Sequence, residues 1–400
     1  MNPVSLFPIL PILLLALVTM NLIGKRIHIH QPKGHYTSID GLRGYLAFFV
    51  FLHHSAIWYF FLRFHQWGYP PSRIYSHFGP TSVALFFMIT SFLFFSKLIN
   101  ARSGTIDWLK LYVSRIFRIM PLYIVGLSVL FLVIAFLSGF VLHEAPFAIV
   151  AECLQWLAFM EPDINGLNGT RLIVAGVVWS LAFEWLLYFS LSFIGLLVFK
   201  IKSSYTTIVF TAVFFALLLT VIIQFYSNLA LQRLSPFAGG IVAAFLARDG
   251  QVRQKAVGKG VSALIIFLFI LAVLLSPTFF EPVSYICLVL AFIGIACGND
   301  LFGILSHATS RLLGQISYSI YLLHGLLLFI TFRFVIGFPL ASTLSPVIHW
   351  SIIATCGIFL VVLCSFTYRF IELPCINVAP DMAAWLKSSF RGHKTIRVVH

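Results

Sequence analysis

Four ionisable side chains interrupt long apolar stretches of this 400-residue sequence. They are His53, His54, Glu184 and His324. An ionisable group inside a hydrocarbon bilayer is costly, and proteins that keep one generally use it. A histidine can take and return a proton near neutral pH, and a carboxylate can stabilise its protonated form. These residues indicate proton-transfer chemistry, while hydrogen bonding to a neighbouring helix is the alternative for each histidine.

The spacing of Arg43 and His54 selects one histidine as the arginine's partner. Eleven positions on a helix return the side chain to within about 20° of the same face, displaced by roughly 16 Å along the axis. His53 points about 80° away from that line. We therefore expect Arg43 and His54 to lie along one groove.

Three arginines are candidates for binding phosphate. Arg43 is expected in the first turn of its helix, where unpaired N–H groups favour an anion. Arg115 and Arg118 are expected just before a helix that begins near residue 119, and their i,i+3 spacing places them on one face. The pattern predicts an anion site, with ordinary snorkelling side chains at a membrane surface as the alternative.

Polar side chains also recur at helical spacing on two later segments. Ser180 and Glu184 are four residues apart, so a hydroxyl and a carboxylate share one side of a helix. Glu184 is predicted to stabilise a protonated histidine or to bind a substrate hydroxyl. Ser317, Tyr321 and His324 follow at i, i+4 and i+7. For Ser317 and Tyr321 we expect interhelical hydrogen bonds. For His324 an interhelical hydrogen bond and a functional role are about equally expected.

The elements that must position these groups are membrane helices. The chain is 60% hydrophobic and only 10% charged, with a mean hydropathy of +1.00, which excludes a soluble globular protein. Apolar runs long enough to approach a hydrocarbon core recur throughout. They predict helices near residues 4–24, 44–63, 78–99, 119–142, 177–199, 206–226, 234–248, 260–276, 282–298, 314–336 and 347–368.

The net charge of +14 follows from membrane topology. Most lysines and arginines fall in segments that would be cytoplasmic if the run from residue 44 enters from the cytoplasm. Five do not; they are Arg63, Arg73, Arg171, Arg233 and Arg333. A nucleic-acid partner is therefore not expected. The six cysteines form no CxxC pair or Cys/His cluster, and no metal or nucleotide-binding motif is present, so no metal is expected.

The predicted organisation is one integral membrane domain with short flanking segments. Residues 1–35 are predicted to hold an extra N-terminal hydrophobic helix, transmembrane or interfacial, and a basic linker. Lys25 and Arg26 follow the apolar run, which reverses the order of a cleavable signal, and a mature protein that starts near residue 25 is the alternative. Residues 36–376 form the domain, and 377–400 a short basic cytoplasmic tail. An outer connection, 143–176, is predicted to carry a short amphipathic helix near 148–159.

Several of these segments also resemble one known family. The stretch from Ile39 to Gly44 that leads to His54 is similar to the hallmark of the acyltransferase-3 family, an arginine and a histidine separated by ten residues. Four further elements follow in the family's order: Arg115–Tyr123, Trp179–Glu184, Leu313–His324 and Tyr368–Pro374. The likeness covers about residues 36–376.

The resemblance implies an all-α, ten-helix membrane core and an enzyme that takes an acyl group, commonly acetyl, from cytoplasmic acyl-CoA. The acceptor would be a hydroxyl of a cell-surface polysaccharide, such as lipopolysaccharide O-antigen, or of a lipid-linked sugar in a bacterial cytoplasmic (inner) membrane. The partners implied are acyl-CoA, the glycan, membrane lipid and glycan-assembly proteins. His54 and Arg43 carry over as the essential pair, Arg115 and Arg118 as the arginine motif, and Glu184 as the acid.

This reading makes His54 a general base on the acceptor hydroxyl and leaves a covalent acyl-histidine relay open. The main alternative is a proton-coupled secondary transporter that uses the buried histidines and glutamate, and a non-catalytic partner in glycan assembly is a third. One departure from the family concerns packing. The Ser-Gly-Phe common in its second core helix is Thr90-Ser91-Phe92, and the missing glycine argues against a close helix approach there.

Overall fold

The computed structural model describes residues 2–27, 29, 36–101, 106–197, 230–277 and 281–392. Within these ranges the chain is helical, and its β-type pairing is limited to an isolated bridge between Ile164 and Leu167. The predicted all-α polytopic membrane fold is confirmed. The described helices are α1 Ile9–Arg26, α2 Thr37–Phe64, α3 Arg73–Asn100, α4 Trp108–Leu137, α5 Pro146–Leu157, α6 Trp179–Leu197, α7 Ala230–Leu246, α8 Gly250–Ala256, α9 Lys259–Leu275, α10 Pro282–Ala296, α11 Ala308–Gln315, α12 Ser317–Ile330, α13 Phe338–Thr343, α14 Pro346–Thr367 and α15 Leu373–Gly392.

Among the described residues, seven helical segments are long and apolar enough to cross a membrane, and the bent pair α8–α9 makes up to eight. The helix predicted at 206–226 lies outside the described residues. The predicted run 314–336 is divided near Ile316 into α11 and α12 and ends in a π-helical segment, Thr331–Ile336. The ten-helix count of the core stays a prediction.

Two predicted helix starts are wrong, and both bear on the arginines. Helix α2 begins at Thr37, so Arg43 lies in its second turn, and the first turn carries Asp40 instead. Helix α4 begins at Trp108, where Asp107 accepts a hydrogen bond from the backbone N–H of Lys110. Hydropathy detects only the long apolar part of a helix, and in both helices charged residues lie before that part begins: Asp40 and Arg43 in α2, and Lys110, Arg115 and Arg118 in α4. The arginines are therefore interior residues of their helices.

The N-terminal helix α1 packs along α14 through one narrow face. Two backbone carbonyls before it accept hydrogen bonds from the core, Ser5 from the Tyr75 hydroxyl and Pro3 from the indole N–H of Trp350. Its buried residues recur every fourth position, and the opposite face exposes leucines, as expected for a helix against lipid. The buried residues are Ile12, Ala16, Met20 and Gly24.

The C-terminal helix α15 runs through most of the segment predicted as a tail and packs against α4. The Lys387 Nζ and Asp107 Oδ2 atoms are 2.5 Å apart, which joins the far part of α15 to the start of α4. Residues 393–400 lie outside the described residues.

Helices α3 and α7 approach closely near Ser91, although Thr90-Ser91-Phe92 lacks the family's glycine and a close approach is not expected there. A Cβ atom on Gly240 of α7 would lie 2.0 Å from the backbone oxygen of Met88 and 2.1 Å from Ser91 Oγ. The small residue that permits contact is thus on the opposite helix. This corrects the expectation drawn from residues 90–92, because either partner of a helix pair can supply the glycine.

We expect Gly240→Ala to destabilise the protein by about 1–3 kcal/mol, because the added methyl group collides with backbone and forces α3 and α7 apart. Thermal unfolding of the detergent-purified protein measures the loss. Gly260→Ala on α9 is the matched control, since a Cβ there meets nothing within 4 Å. Equal unfolding temperatures for the two variants would contradict the close contact.

Candidate functional site

Two adjoining cavities lie between α2, α3, α4, α6, α7 and α12. The arginine cavity, of about 90 Å³, is lined chiefly by Arg43, Arg115, Arg118, Glu184, Tyr188 and Ser317. The histidine cavity, of about 210 Å³, is lined chiefly by His53, His54, Tyr69, Trp179, Gln232 and Arg233. Val83, Phe87 and Tyr321 line both cavities and form their common wall.

The arginine cavity gathers the three arginines predicted from sequence. Arg43 comes from α2, and Arg115 and Arg118 come from one face of α4. The Arg115 guanidinium lies 5.3 Å from the centre of the Phe94 ring. Three like charges in a half-buried space repel one another unless an anion lies between them, so the cavity favours an anionic ligand.

Within the described part of the chain, two polar atoms at this cavity have no hydrogen-bond partner. The Nε of Arg115 and the Oγ of Ser317 are buried without a hydrogen-bond partner. Buried donors of this kind cost free energy unless a ligand or water satisfies them. Both residues line the arginine cavity, and an oxygen-rich ligand there would complete them.

Glu184 also lies in the arginine cavity. Its Oε2 accepts a hydrogen bond of 3.0 Å from the Tyr188 hydroxyl, and its Oε1 a longer one of 3.5 Å from Thr90. It interacts electrostatically with Arg43 and Arg115. No hydrogen bond joins Glu184 to His54. Its charge therefore offsets part of the positive charge of the arginines.

The direct partner of His54 is His324. The Nδ1 of His324 lies 3.0 Å from the Ile320 oxygen, so it carries the proton and donates to that carbonyl. The Nε2 of His324 is then an acceptor, 3.0 Å from His54 Nδ1. His54 Nδ1–H donates both to it and to the Val50 oxygen, also at 3.0 Å. This leaves the unprotonated Nε2 of His54 as the proton acceptor.

His324 is fully buried and contacts the His54 ring on its Nδ1 side. The Trp67 ring faces the His54 ring at 6.2 Å and an interplanar angle of 21°. His53 is predicted to point away from the line that joins Arg43 and His54, yet it also lines the histidine cavity. The centres of the His53 and His54 rings are 5.0 Å apart. Its Nδ1–H donates to the Tyr75 oxygen over 2.6 Å.

A short hydrogen-bonded chain forms the boundary between the cavities. The Tyr321 hydroxyl donates to the Val177 oxygen over 3.0 Å and accepts from the Ser180 hydroxyl at 2.8 Å. Ser180 and Tyr321 thus make an interhelical contact between α6 and α12. An interhelical hydrogen bond is also predicted for Ser317, but its Oγ has no hydrogen-bond partner among the described residues. Ser317 lines the arginine cavity instead.

Sequence reasoning missed several residues of both cavities. Thr90 and Tyr188 contact Glu184, and Tyr69 and Gln232 line the histidine cavity. Arg233 stood out only as an arginine on the outer side. Tyr188 could have been found, because it follows Glu184 by four positions and must share its helix face. Among the described residues, no group of three or more His, Cys, Asp or Glu side chains is arranged to hold a metal ion.

The connection before α6 is fixed by Glu161. Its carboxylate accepts a hydrogen bond of 2.8 Å from the backbone N–H of Val178, next to the first residue of α6. Burial raises the pKa of Glu161 to about 7, although Arg171 and the backbone N–H of Val178 act against the rise. Since Val177 and Trp179 line the histidine cavity, Glu161 positions one of its walls.

This pKa sets a pH dependence of stability. The unfolded carboxyl ionises at lower pH than the folded one, so wild-type stability falls as pH rises from about 4.5 to about 7. Glu161→Gln keeps the acceptor oxygen and removes the charge. We expect the variant to unfold at the wild-type temperature at pH 5 and at a higher temperature at pH 8. A variant that follows the wild-type pH profile would contradict the burial of this carboxylate.

Comparison with known proteins gives one match. The family model Acyl_transf_3, described as an acyltransferase domain, matches residues 36–369. This range contains every cavity residue named above. No curated protein matches the chain, and no solved structure does.

Proposed function

The chain belongs to the acyltransferase-3 family and is a membrane acyltransferase, and from this premise we propose that it transfers an acyl group, commonly acetyl, from acyl-CoA to a hydroxyl of a cell-surface polysaccharide or lipid-linked sugar. We propose the bacterial cytoplasmic membrane as its location. The donor would enter from the cytoplasmic side, where the positive-inside rule puts the start of α2.

The observation that carries the proposal is the shared wall of the two cavities. Arg43 and His54 lie on one helix, about 16 Å apart along its axis. The pantetheine arm of coenzyme A can span such a distance. Phosphates held by the arginines would therefore leave the thioester at the common wall, near Tyr321 and within reach of the histidine cavity.

The donor site is supported by charge and by unsatisfied donors. Arg43, Arg115 and Arg118 offer planar guanidinium groups, which bind phosphate through paired hydrogen bonds. The buried Arg115 Nε and Ser317 Oγ would gain partners from donor oxygens. In this proposal Glu184 offsets part of the positive charge of the arginines and so holds them in place when no donor is bound.

His54 is the proposed general base. Its free Nε2 takes the proton of the acceptor hydroxyl while the hydroxyl oxygen attacks the thioester carbonyl carbon, forming a C–O bond. The tetrahedral intermediate collapses, the C–S bond breaks, and the departing thiolate of coenzyme A takes the proton back from His54. His324 holds the ring in the required tautomer and shares its positive charge at the intermediate.

Mass spectrometry of surface polysaccharide tests this function. Cells that carry the protein should have acyl esters on the glycan, and cells that lack it should lose them and regain them on complementation. Purified protein should also bind acetyl-CoA. Identical acylation in both strains, together with no binding of acetyl-CoA, would overturn the proposal.

A further inference from the structure

The connection between α2 and α3, residues 65–72, lies against both histidines of the histidine cavity. It follows the end of α2 that is remote from the arginine cavity. The ring of Trp67 faces that of His54 at 6.2 Å, with 21° between the ring planes. The ring of Tyr69 lies 5.9 Å from that of His53, and Tyr69 also lines the cavity. Two aromatic side chains of one connection thus form a cover beside the two histidines.

Aromatic packing holds Trp67 in this place. Its ring meets those of Trp58 and Phe61 edge to face, at 5.5 Å and 5.4 Å between the centres. Trp58 is fully buried and packs in turn on Phe332, so it is a firm support. Among the described residues, none of positions 66–69 forms a backbone–backbone hydrogen bond. The position of this part of the connection therefore depends on its side chains, and Trp67 anchors it beside His54.

Water competes with the acceptor in the proposed reaction. The free Nε2 of His54 would take a proton from water as it takes one from a sugar hydroxyl. The water oxygen would then form a C–O bond with the thioester carbonyl carbon, and the C–S bond would break. The coenzyme A thiolate would take the proton back from His54, and the acetic acid formed would lose its own proton to solvent. An enzyme that acylates a hydroxyl must therefore limit the access of water to this base.

We propose that Trp67, with Tyr69 beside it, limits the access of water to His54 and so determines that the acyl group passes to the acceptor instead of being hydrolysed. This inference rests on the proposed function. The apolar indole occupies space next to the imidazole that water would fill in its absence. Trp67 contacts the base and not the reacting atoms, so it is a positioning residue that sets the choice between transfer and hydrolysis.

The release of [14C]acetate from [14C]acetyl-CoA by the purified full-length protein in detergent tests the inference. Without acceptor, Trp67→Ala should release acetate about 10-fold faster than wild type, because water reaches the base. With polysaccharide from cells that lack the protein, the ratio of free acetate to labelled glycan should rise as well. Trp67→Phe keeps an aromatic ring beside His54 and should stay near the wild-type ratio. A general disturbance of the site would lower both rates and would not raise hydrolysis.

Gln66→Ala is the matched control, because Gln66 is exposed on the same connection, and it should behave as wild type. Adding His54→Ala to Trp67→Ala should remove the extra hydrolysis, since that hydrolysis needs the base. Binding of acetyl-CoA verifies that each variant is folded, and Trp67→Leu replaces Trp67→Ala in the test if the latter does not fold.

Two results would overturn the inference. One is an unchanged rate of acetate release from a folded Trp67→Ala or Trp67→Leu protein, and the other is a rise that persists without His54. Failure of the wild-type protein to bind acetyl-CoA would instead count against the proposed function.

Discussion

His54→Ala should lower the rate of acyl transfer by about 10²–10⁴-fold, the usual contribution of a general base. Purified protein would be given [14C]acetyl-CoA and polysaccharide extracted from cells that lack the protein, and label in the glycan would be counted. The loss should fall on the transfer rate and leave acetyl-CoA binding intact, since the arginine cavity does not include His54.

The control for this variant is His65→Asn. His65 is exposed at the end of α2 in the left-handed region, which asparagine tolerates, so the change removes an imidazole from the same helix at little structural cost. It should transfer at the wild-type rate. A His54→Ala protein that keeps more than about a tenth of the wild-type rate would contradict the assignment of the base.

Arg115→Gln should weaken the binding of acetyl-CoA by about 10- to 100-fold, because a charged hydrogen-bond donor to phosphate is lost. The affinity for S-acetylpantetheine, which lacks the nucleotide phosphates, should change little. Equilibrium binding to the detergent-purified protein measures both. The comparison separates phosphate recognition from a general disturbance of the cavity.

Lys110→Gln is the matched control for charge. Lys110 lies on the same helix, α4, but is exposed and does not line the cavity. Its loss should leave the affinity for acetyl-CoA within about twofold of wild type, as expected for a screened surface charge. If the two substitutions weaken acetyl-CoA binding equally, or if Arg115→Gln weakens both thioesters equally, the phosphate assignment is wrong.

The sequence predicts the parts of the site that a single helix determines. The eleven-residue spacing of Arg43 and His54 and the i,i+3 spacing of Arg115 and Arg118 follow from helical geometry, and the structure puts each group on a cavity wall. The polar stripe that ends at His324 likewise follows from spacing along α12.

The contacts between helices could not be predicted in this way. Glu184 and His324 lie at similar distances from the starts of their predicted helices. The sequence therefore leaves either of them as a possible partner of His54. The rotation of α6 and α12 about their axes decides that His324 contacts the histidine and Glu184 faces the arginines. That rotation depends on packing across the bundle. The close contact of α3 with α7 could not be predicted for the same reason, because Gly240, which permits it, is distant in the sequence from Met88 and Ser91.

The central claim is the proposal that donor and acceptor enter from opposite sides of the membrane and meet at the wall shared by the two cavities. Transfer between compartments tests it most directly. Proteoliposomes would enclose the unacylated polysaccharide, and [14C]acetyl-CoA would be added outside. Molecules with the arginine cavity facing outward should place label on the enclosed glycan, and His54→Ala should abolish it. If label enters the glycan only when glycan and acetyl-CoA share one compartment, the two cavities do not form a single route for acyl transfer.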